Sequence, residues 1–313
     1  MSKSMKTVKV IAPATVANVS CGFDILGFAV DHPGDVVIMT LKDSPGVTIS
    51  DIVGDGGRLP RESAKNTASV AVNAFLESIG SKQGVDIILN KHLPLGSGMG
   101  SSAASAVAAL VGINHLLGNP KSRAEMVPLA MEAERIACGS AHADNVAPSL
   151  LGGFVLVRDY SPLDVIKIAS PEHLYCTLVH PHIEVKTEDS RRVLKSVIPL
   201  KDALTQAGNV AGLVTGLMTS DYNLIKRCIK DVIAEPLRSV FIPGYDEIKE
   251  AAIAAGALGC GISGSGPTMY ALSSEPKIAE KIGEAMQLGF LKYKLKSEAY
   301  VSKVNQEGAK IIQ

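Results

Sequence analysis

The sequence predicts an α+β protein of two domains, and three observations carry that prediction. The chain has 313 residues, where one domain typically takes about 150. Its first half mixes short β-branched apolar runs with helical stretches, and its second half turns more helical. Strands and helices do not alternate strictly, so the pattern is that of two α+β layers packed side by side. The division falls near Tyr160-Ser161-Pro162, giving residues 1–160 and 161–313.

Taken in order, Val8 and Val10 open the first strand, and Asp35 to Leu41 (DVVIMTL) and Val85 to Leu89 (VDIIL) follow as further strands. Between and after them, Thr67 to Ile79 and Ser102 to Leu117 read as helices, the latter with Val107, Leu110, Val111 and Leu117 at helical spacing. Gly118-Asn119-Pro120 stops it. Ser122-x-x-Glu125 forms a capping-box pattern for the next helix, but Pro128 falls inside, so that helix is expected to begin later or to kink. Gly152 to Val157 (GGFVLV) is another strand. In the second half, Leu200 to Met218, Tyr222 to Ile233 and Tyr245 to Ala255 read as helices. Thr177 to His180, Thr268 to Leu272 and Ala299 to Val304 read as strands.

Composition narrows the function. Lys plus Arg and Asp plus Glu both number 31, so the formal charge is zero. A neutral chain with no polybasic run lacks the electrostatic footprint of a nucleic-acid or membrane-surface binder. Aromatics are 4% with no Trp, too few for base-stacking surfaces. The five cysteines (Cys21, Cys138, Cys176, Cys228, Cys260) are dispersed with no C-x-x-C, which is neither a disulfide framework nor a zinc site. MSKSMKTVKV carries charge without a following apolar run, and the most apolar stretch, Ala103 to Ile113, is too short to span a bilayer. A cytoplasmic location is expected.

Three segments carry chemistry. PLGSGMGSSAAS (Pro94, Leu95, Gly96, Ser97, Gly98, Met99, Gly100, Ser101, Ser102 and on to Ser105) lies between a strand and an Ala-rich helix. Its glycines let backbone amides approach an anion, and the helix N-terminus favours phosphate. The alternative is an ordinary tight turn capping a buried helix. It is not a Walker A loop, because no Gly-Lys-Ser/Thr follows. GCGISG (259–264) matches G-x-G-x-x-G formally, yet it follows a helix and leads into a strand, the reverse of a dinucleotide fingerprint. The overlapping SGSGPT (263–268) suits a loop pressed against a ligand. The third segment, Pro13 to Gly27 (PATVANVSCGFDILG), places Asn18 and Asp24 in a loop at a strand end, where they face a ligand or bond their own backbone.

Together, in this order and at these separations, the three segments resemble the GHMP kinases over nearly the whole chain. Within that family the likeness is greatest to the homoserine kinases. It rests on PAT-x-AN-x3-GFD, on His142-Ala143-Asp144-Asn145-Val146-Ala147-Pro148, on Ser190-Arg191-Arg192-Val193-Leu194, and on Glu235-Pro236-Leu237-Arg238-x3-Ile242-Pro243-Gly244. Ser20-Cys21 replaces the usual Gly-Pro before GFD, and Met99 replaces the usual Leu, which affects local shape only. The fold implied is a mixed β/α ATP-binding domain followed by a ferredoxin-like α+β domain.

The resemblance implies that residues 94–102 bind the ATP phosphates, with Ser102 and Glu134 holding Mg²⁺ and Asn66 contacting adenine. A solvated helical charge is the alternative for Glu134, and a helix N-cap for Asn66. Arg191 and Arg238 would clamp the carboxylate of L-homoserine, and Asp24 with Asn18 its ammonium. Asp144 and Asn145 match positions near the reacting hydroxyl, and His142 is either a ligand or a packed core histidine. Asn145 cannot take a proton, so it would orient the hydroxyl while the γ-phosphate or Asp144 accepts the proton. His180-Pro-His182 lacks a third ligand and reads as a strand pair. A homodimer is common in such kinases, though no residue pattern here decides it. Rival readings are a relative acting on another small alcohol such as mevalonate, and a non-catalytic nucleotide-binding regulator. The two arginines and Asp24 suit a zwitterion, and the pairing of Ser102 with Glu134 suits catalysis.

Overall fold

The computed structural model describes residues 6–139 and 142–313, apart from the side chains of 136–138. The first five residues of the N-terminal segment and the side chain of Cys138 therefore lie outside the described residues. The larger sheet contains β1 (Thr7–Ala17), β2 (Leu26–Lys42), β3 (Val47–Val53), β4 (Gly84–Asn90), β5 (Phe154–Tyr160), β6 (Leu163–Ile168) and β11 (Lys310–Ile311). Its order is β11-β1-β2-β4-β3, with β5 joining β2 and β6 joining β5. β1 and β2 run antiparallel from the pair Thr7–Thr40 to the pair Ala17–Gly27, with a register shift between Pro13 and Thr15. DVVIMTL is thus one part of a longer strand: its neighbour is β4, while the Leu26–Phe28 end takes β5.

The first-half helices are α1 (Thr67–Ser78), α2 (Ser101–Leu116), α3 (Arg123–Cys138) and α4 (Ala143–Leu151). α2 is buried almost all round, from Ser101 to Asn114, and its alanines allow close packing against β1 and β2 on one side and the other helices on the other. The capping box at Ser122 and Glu125 forms, so α3 starts there and runs on through Pro128. The proline removes one backbone donor, and the helix absorbs that loss without beginning later. Gly152 ends α4 at φ 72°, which is why β5 starts two residues after the expected Gly152.

Tyr160-Ser161-Pro162 turns out to be the tip of the β5–β6 hairpin, so β6 stays with the first sheet. The chain enters the second sheet only at β7 (Tyr175–Pro181). That sheet has the order β10-β7-β9-β8, from β8 (Gly259–Ile262), β9 (Met269–Ser273) and β10 (Ser297–Lys303), all neighbours antiparallel. With helices between β7 and β8 and between β9 and β10, this is the split βαββαβ arrangement of a ferredoxin-like domain. Gly259–Ile262 of GCGISG is β8 itself, so its first two glycines lie in a strand, and SGSGPT, with Gly264, is the β8–β9 turn.

Between the sheets' strands run α5 (Thr187–Arg192), α6 (Leu200–Thr219), α7 (Tyr222–Cys228), α8 (Glu235–Arg238), a 3-10 turn at Ser239–Phe241, α9 (Tyr245–Ala254) and α10 (Pro276–Lys292). The helix expected over 222–233 ends at Cys228, and the next, α8, starts only at Glu235. Asp231 is the physical reason: its carboxylate accepts from the N–H groups of Ile233 (2.8 Å), Ala234 (3.0 Å) and Glu235 (2.9 Å), opening a new helix instead of extending the old one. The sequence does not announce β3, α4, β6, α5, α8, β8, α10 or β11.

Candidate active site

A cleft of about 460 Å³ opens between the two halves. Its floor is the 91–100 loop, which joins β4 to α2. Gly100 caps α2 in a left-handed conformation (φ 69°) with no side-chain cap, so the first-turn amides of α2 are open towards the cleft. A side chain at Gly100 would collide with Thr15 Oγ1 at 2.1 Å, and one at Gly98 with the Ser263 carbonyl at 2.3 Å. Both positions therefore need glycine for closeness as well as for φ. The loop is stapled to its surroundings. Met99 O accepts from Thr15 N (3.1 Å), Ser97 O from Thr268 N (3.1 Å), and Gly98 O from Ser263 Oγ (2.8 Å).

Beneath the loop lies Lys91, which the sequence reading passed over. Its ammonium pairs with Asp35 and donates to Ser101 O (2.8 Å) and Ser105 Oγ (2.7 Å), so all three of its protons are used. Both side chains are buried, at 2% and 1% exposure. Asp35 Oδ1 also accepts from the amides of His92 (2.8 Å) and Leu93 (2.9 Å). Burial pulls the Lys91 pKa down, opposed by the adjacent Asp35. A signal was present: a lone Lys in an apolar strand-to-loop junction, and an Asp inside DVVIMTL.

At the first turn of α2, Ser102 Oγ donates to Glu134 Oε1 at 2.6 Å. Glu134 is only 5% exposed, which excludes the solvated-charge alternative. This serine–carboxylate pair beside open amides is a hard-oxygen donor set. It suits Mg²⁺, which takes few protein oxygens and completes its shell with phosphates and water.

Asn66 lines the cleft and is the N-cap of α1. Its Oδ1 accepts from Ala68 N (3.1 Å) and its Nδ2 donates to Pro60 O (2.9 Å), leaving one amide proton for another acceptor. Asn18, at φ 56°, is committed twice: it accepts from Asp24 N (2.8 Å) and donates to Gly264 O (2.9 Å), tying the end of β1 to the 263–268 turn. Its side chain is thus a brace between the halves, and it also lines the cleft.

The other wall carries Arg191, at the end of α5, and Arg238, at the end of α8. The Arg191 fork grips Asp24 at 2.8 and 3.1 Å. Expected to serve opposite ends of a ligand, the two side chains are paired with each other. Arg238 is 4% exposed and donates to the carbonyls of Ser190 (3.0 Å) and Gly264 (3.2 Å). Among the described residues no carboxylate lies within salt-bridge distance of it. Both guanidiniums sit over Phe23, 5.8 and 4.7 Å from its ring centre. Burial and the neighbouring Arg191 lower the Arg238 pKa to about 10, against the weaker opposing pull of Asp24, Asp231 and Asp144.

At the mouth, Asp144 is buried, and burial with the nearby Asp24 raises its pKa to about 7. Asn145 Oδ1 accepts from Thr15 Oγ1 at 2.7 Å, which turns its amide NH₂ away from Thr15. His142 Nδ1 lies 3.8 Å from Asp24, and burial lowers its pKa, so it stays neutral near pH 7. Tyr160 OH donates to Asp24 O at 3.0 Å. Asp24, Pro94 and Met99 do not line the cleft; Met99 is fully buried. His180 is bound to Thr268 (3.1 Å), with a pKa lowered to about 4 by burial, and supports the turn from behind. Among the described residues no helix is long and apolar enough to cross a membrane.

Comparison with known proteins agrees with this arrangement. Residues 66–153 match the model for the GHMP kinases N terminal domain, and residues 213–290 that for the GHMP kinases C terminal domain. A homoserine kinase of Chlorobium phaeobacteroides is 55% identical over 98% of this chain and 100% of that protein. The crystal structure of a homoserine kinase from Cytophaga hutchinsonii superimposes with a TM-score of 0.96 at 56% identity, covering 100% of this chain and 99% of that one. L. major mevalonate kinase shares the fold at TM-score 0.73 and 17% identity, covering 97% of this chain and 98% of that one. A cleft floored by a glycine loop and an uncapped helix, in a chain so close to these proteins from end to end, places it in the GHMP kinase family, among the homoserine kinases.

Proposed function

We propose that this chain transfers the γ-phosphoryl group of ATP to the side-chain hydroxyl of L-homoserine, a step in threonine biosynthesis. The observation that carries the reading is the cleft itself. It joins open amides at the start of α2 to a buried arginine lacking a carboxylate partner, so it suits a polyphosphate at one end and a carboxylate at the other. Ser101, Ser102 and the preceding loop amides would hold the phosphates, and Asn66 has one amide proton left for the base. Ser102 and Glu134 would hold Mg²⁺, which supplies charge neutralisation of the phosphates when bound.

Arg238 would take the substrate carboxylate, with Arg191 as its charged neighbour. Asp24 then does two things: it holds Arg191 in place and offers negative charge to an ammonium close by. Asn145 presents an amide donor, which orients a hydroxyl but cannot deprotonate it. Phosphoryl transfer depends chiefly on positioning and charge neutralisation, so the hydroxyl proton can pass to the transferred group. A second reading, with Asp144 as base, is favoured by its pKa near neutrality. The test is ADP release with L-homoserine, mevalonate and galactose. Turnover on homoserine alone is expected; preference for either other alcohol, or none on any, would replace the proposal.

A further inference from the structure

Tyr160 ends β5 at the tip of the β5–β6 hairpin, a place the sequence marks only as a boundary. Its side chain does not line the cleft, yet its hydroxyl is bonded to two segments that do the work there. It donates to Asp24 O at 3.0 Å and accepts from Ala143 N at 3.3 Å.

Ala143 is the first residue of α4, and His142 at the N-cap makes no side-chain cap. A first-turn amide has no partner within its own helix, so the phenol caps α4 from another strand. The next two residues are Asp144 and Asn145. The Tyr160 ring also meets His142 edge-on, with centroids 6.4 Å apart and planes at 84°. Asp24 is held in the left-handed region, at φ 58°. A residue with a side chain stays there when its surroundings over-determine it. Here the Asp24 N–H donates to Asn18 Oδ1 at 2.8 Å and its carbonyl accepts from Tyr160, so both backbone groups are pinned. The carboxylate that leaves this fixed backbone meets the Arg191 fork.

We propose that Tyr160 is a positioning residue for the alcohol end of the site. Through Ala143 it sets the aim of Asp144 and Asn145, and through Asp24 it sets that of Arg191. One phenol thus couples the groups facing the reacting hydroxyl to those facing the carboxylate. Neither bond reaches the 91–100 loop, so the nucleotide end should not feel their loss. The kinetic consequences rest on the phosphoryl transfer proposed above; the effect on the backbone does not.

Tyr160→Phe in the full chain keeps the ring against His142 and removes both bonds. Homoserine KM should rise about three- to tenfold and kcat should fall by a similar factor. ATP KM and Tm should stay near wild type. Tyr222→Phe removes a comparable phenol bond, to His173 O at 3.0 Å outside the cleft, and should change none of these. In an Arg191→Leu background, Tyr160→Phe should add little to homoserine KM, because its route through Asp24 is already broken, while kcat still falls. Unchanged homoserine kinetics in Tyr160→Phe, ATP and homoserine KM rising together, or KM losses that simply add in the double variant overturn the proposal. Hydrogen exchange tests it without substrate: residues 18–26 and 143–147 should exchange about tenfold faster in Tyr160→Phe, with α2 unchanged. A wild type that ignores homoserine refutes the proposed reaction and leaves exchange to decide on Tyr160, where equal rates in the two proteins overturn its role.

Discussion

Replacing Lys91 by Met removes the cation from beneath the glycine loop while keeping much of its volume. The Asp35 carboxylate is then left buried with only the His92 and Leu93 amides as donors, both on Oδ1. Breaking a buried pair in this way costs about 3–5 kcal/mol, because one charge stays uncompensated. For a chain of 313 residues, an unfolding entropy of about 2.1 cal/mol/K per residue turns that into a fall of roughly 5–8 °C in Tm. The same change removes the ammonium from Ser101 O and Ser105 Oγ, leaving them only the longer bond to each other (3.3 Å), so the first turn of α2 loses its tie to the end of β4. KM for ATP is expected to rise several-fold while KM for homoserine stays near wild type. Adding Asp35→Asn preserves the Oδ1 contacts and removes the stranded charge, so the double variant should be more stable than Lys91→Met alone. Thermal and urea unfolding of the four proteins in the cycle measure the coupling. A single-variant loss below about 1 kcal/mol, or a double variant whose losses simply add, would refute the account of Lys91 as a buried, partnered charge.

Asp144 gives a pH signature. Its folded pKa of about 7 lies above the ordinary 3.8, so its contribution to stability is full below about pH 4 and is lost as pH rises through 7. Relative to Asp144→Asn, wild type should lose on the order of 4 kcal/mol between pH 4 and pH 8; parallel stability curves would disprove the shift. The same variant should keep kcat within about tenfold of wild type, and a fall of 100-fold or more would assign the proton to Asp144. Arg238→Leu should raise homoserine KM by the equivalent of about 2–5 kcal/mol and leave ATP KM alone. Arg191→Leu should cost less on that score, since its fork is already spent on Asp24; equal effects would mean that both clamp the carboxylate directly. Cys21 is buried with its thiol raised to about 12, so Cys21→Ser should turn over normally and wild type should resist alkylation in the folded state; rapid labelling would overturn that.

Much of the site was legible because its chemistry is local. Three glycines in seven residues before SSAAS announce a backbone that must approach something closely, and the spacing survives any packing detail. The helix starts at Asn66 and Ser122 were legible for the same reason, since a cap bonds within its own turn. Segments whose state depends on distant partners were not. Val47–Val53 is a strand because β4 lies beside it, and Gly259–Ile262 is one because β9 does, despite its glycines. The 222–233 stretch has helical composition throughout, yet Asp231 redirects the backbone.

By itself, then, the sequence determined the α+β class, the glycine loop on its helix, and most of the residue types gathered at the candidate site. Only the tertiary structure decided who holds whom. It spent Asp24 on Arg191, left Arg238 without a carboxylate, turned Asn18 into a brace, and set Lys91 under the loop with Asp35. The reason is distance along the chain: Asp24 and Arg191 stand 167 positions apart, and Lys91 and Asp35 stand 56 apart. Spacing in a sequence reports neighbours within a turn of helix or along a strand, whereas charges buried together are paired by the fold that removes water from around them.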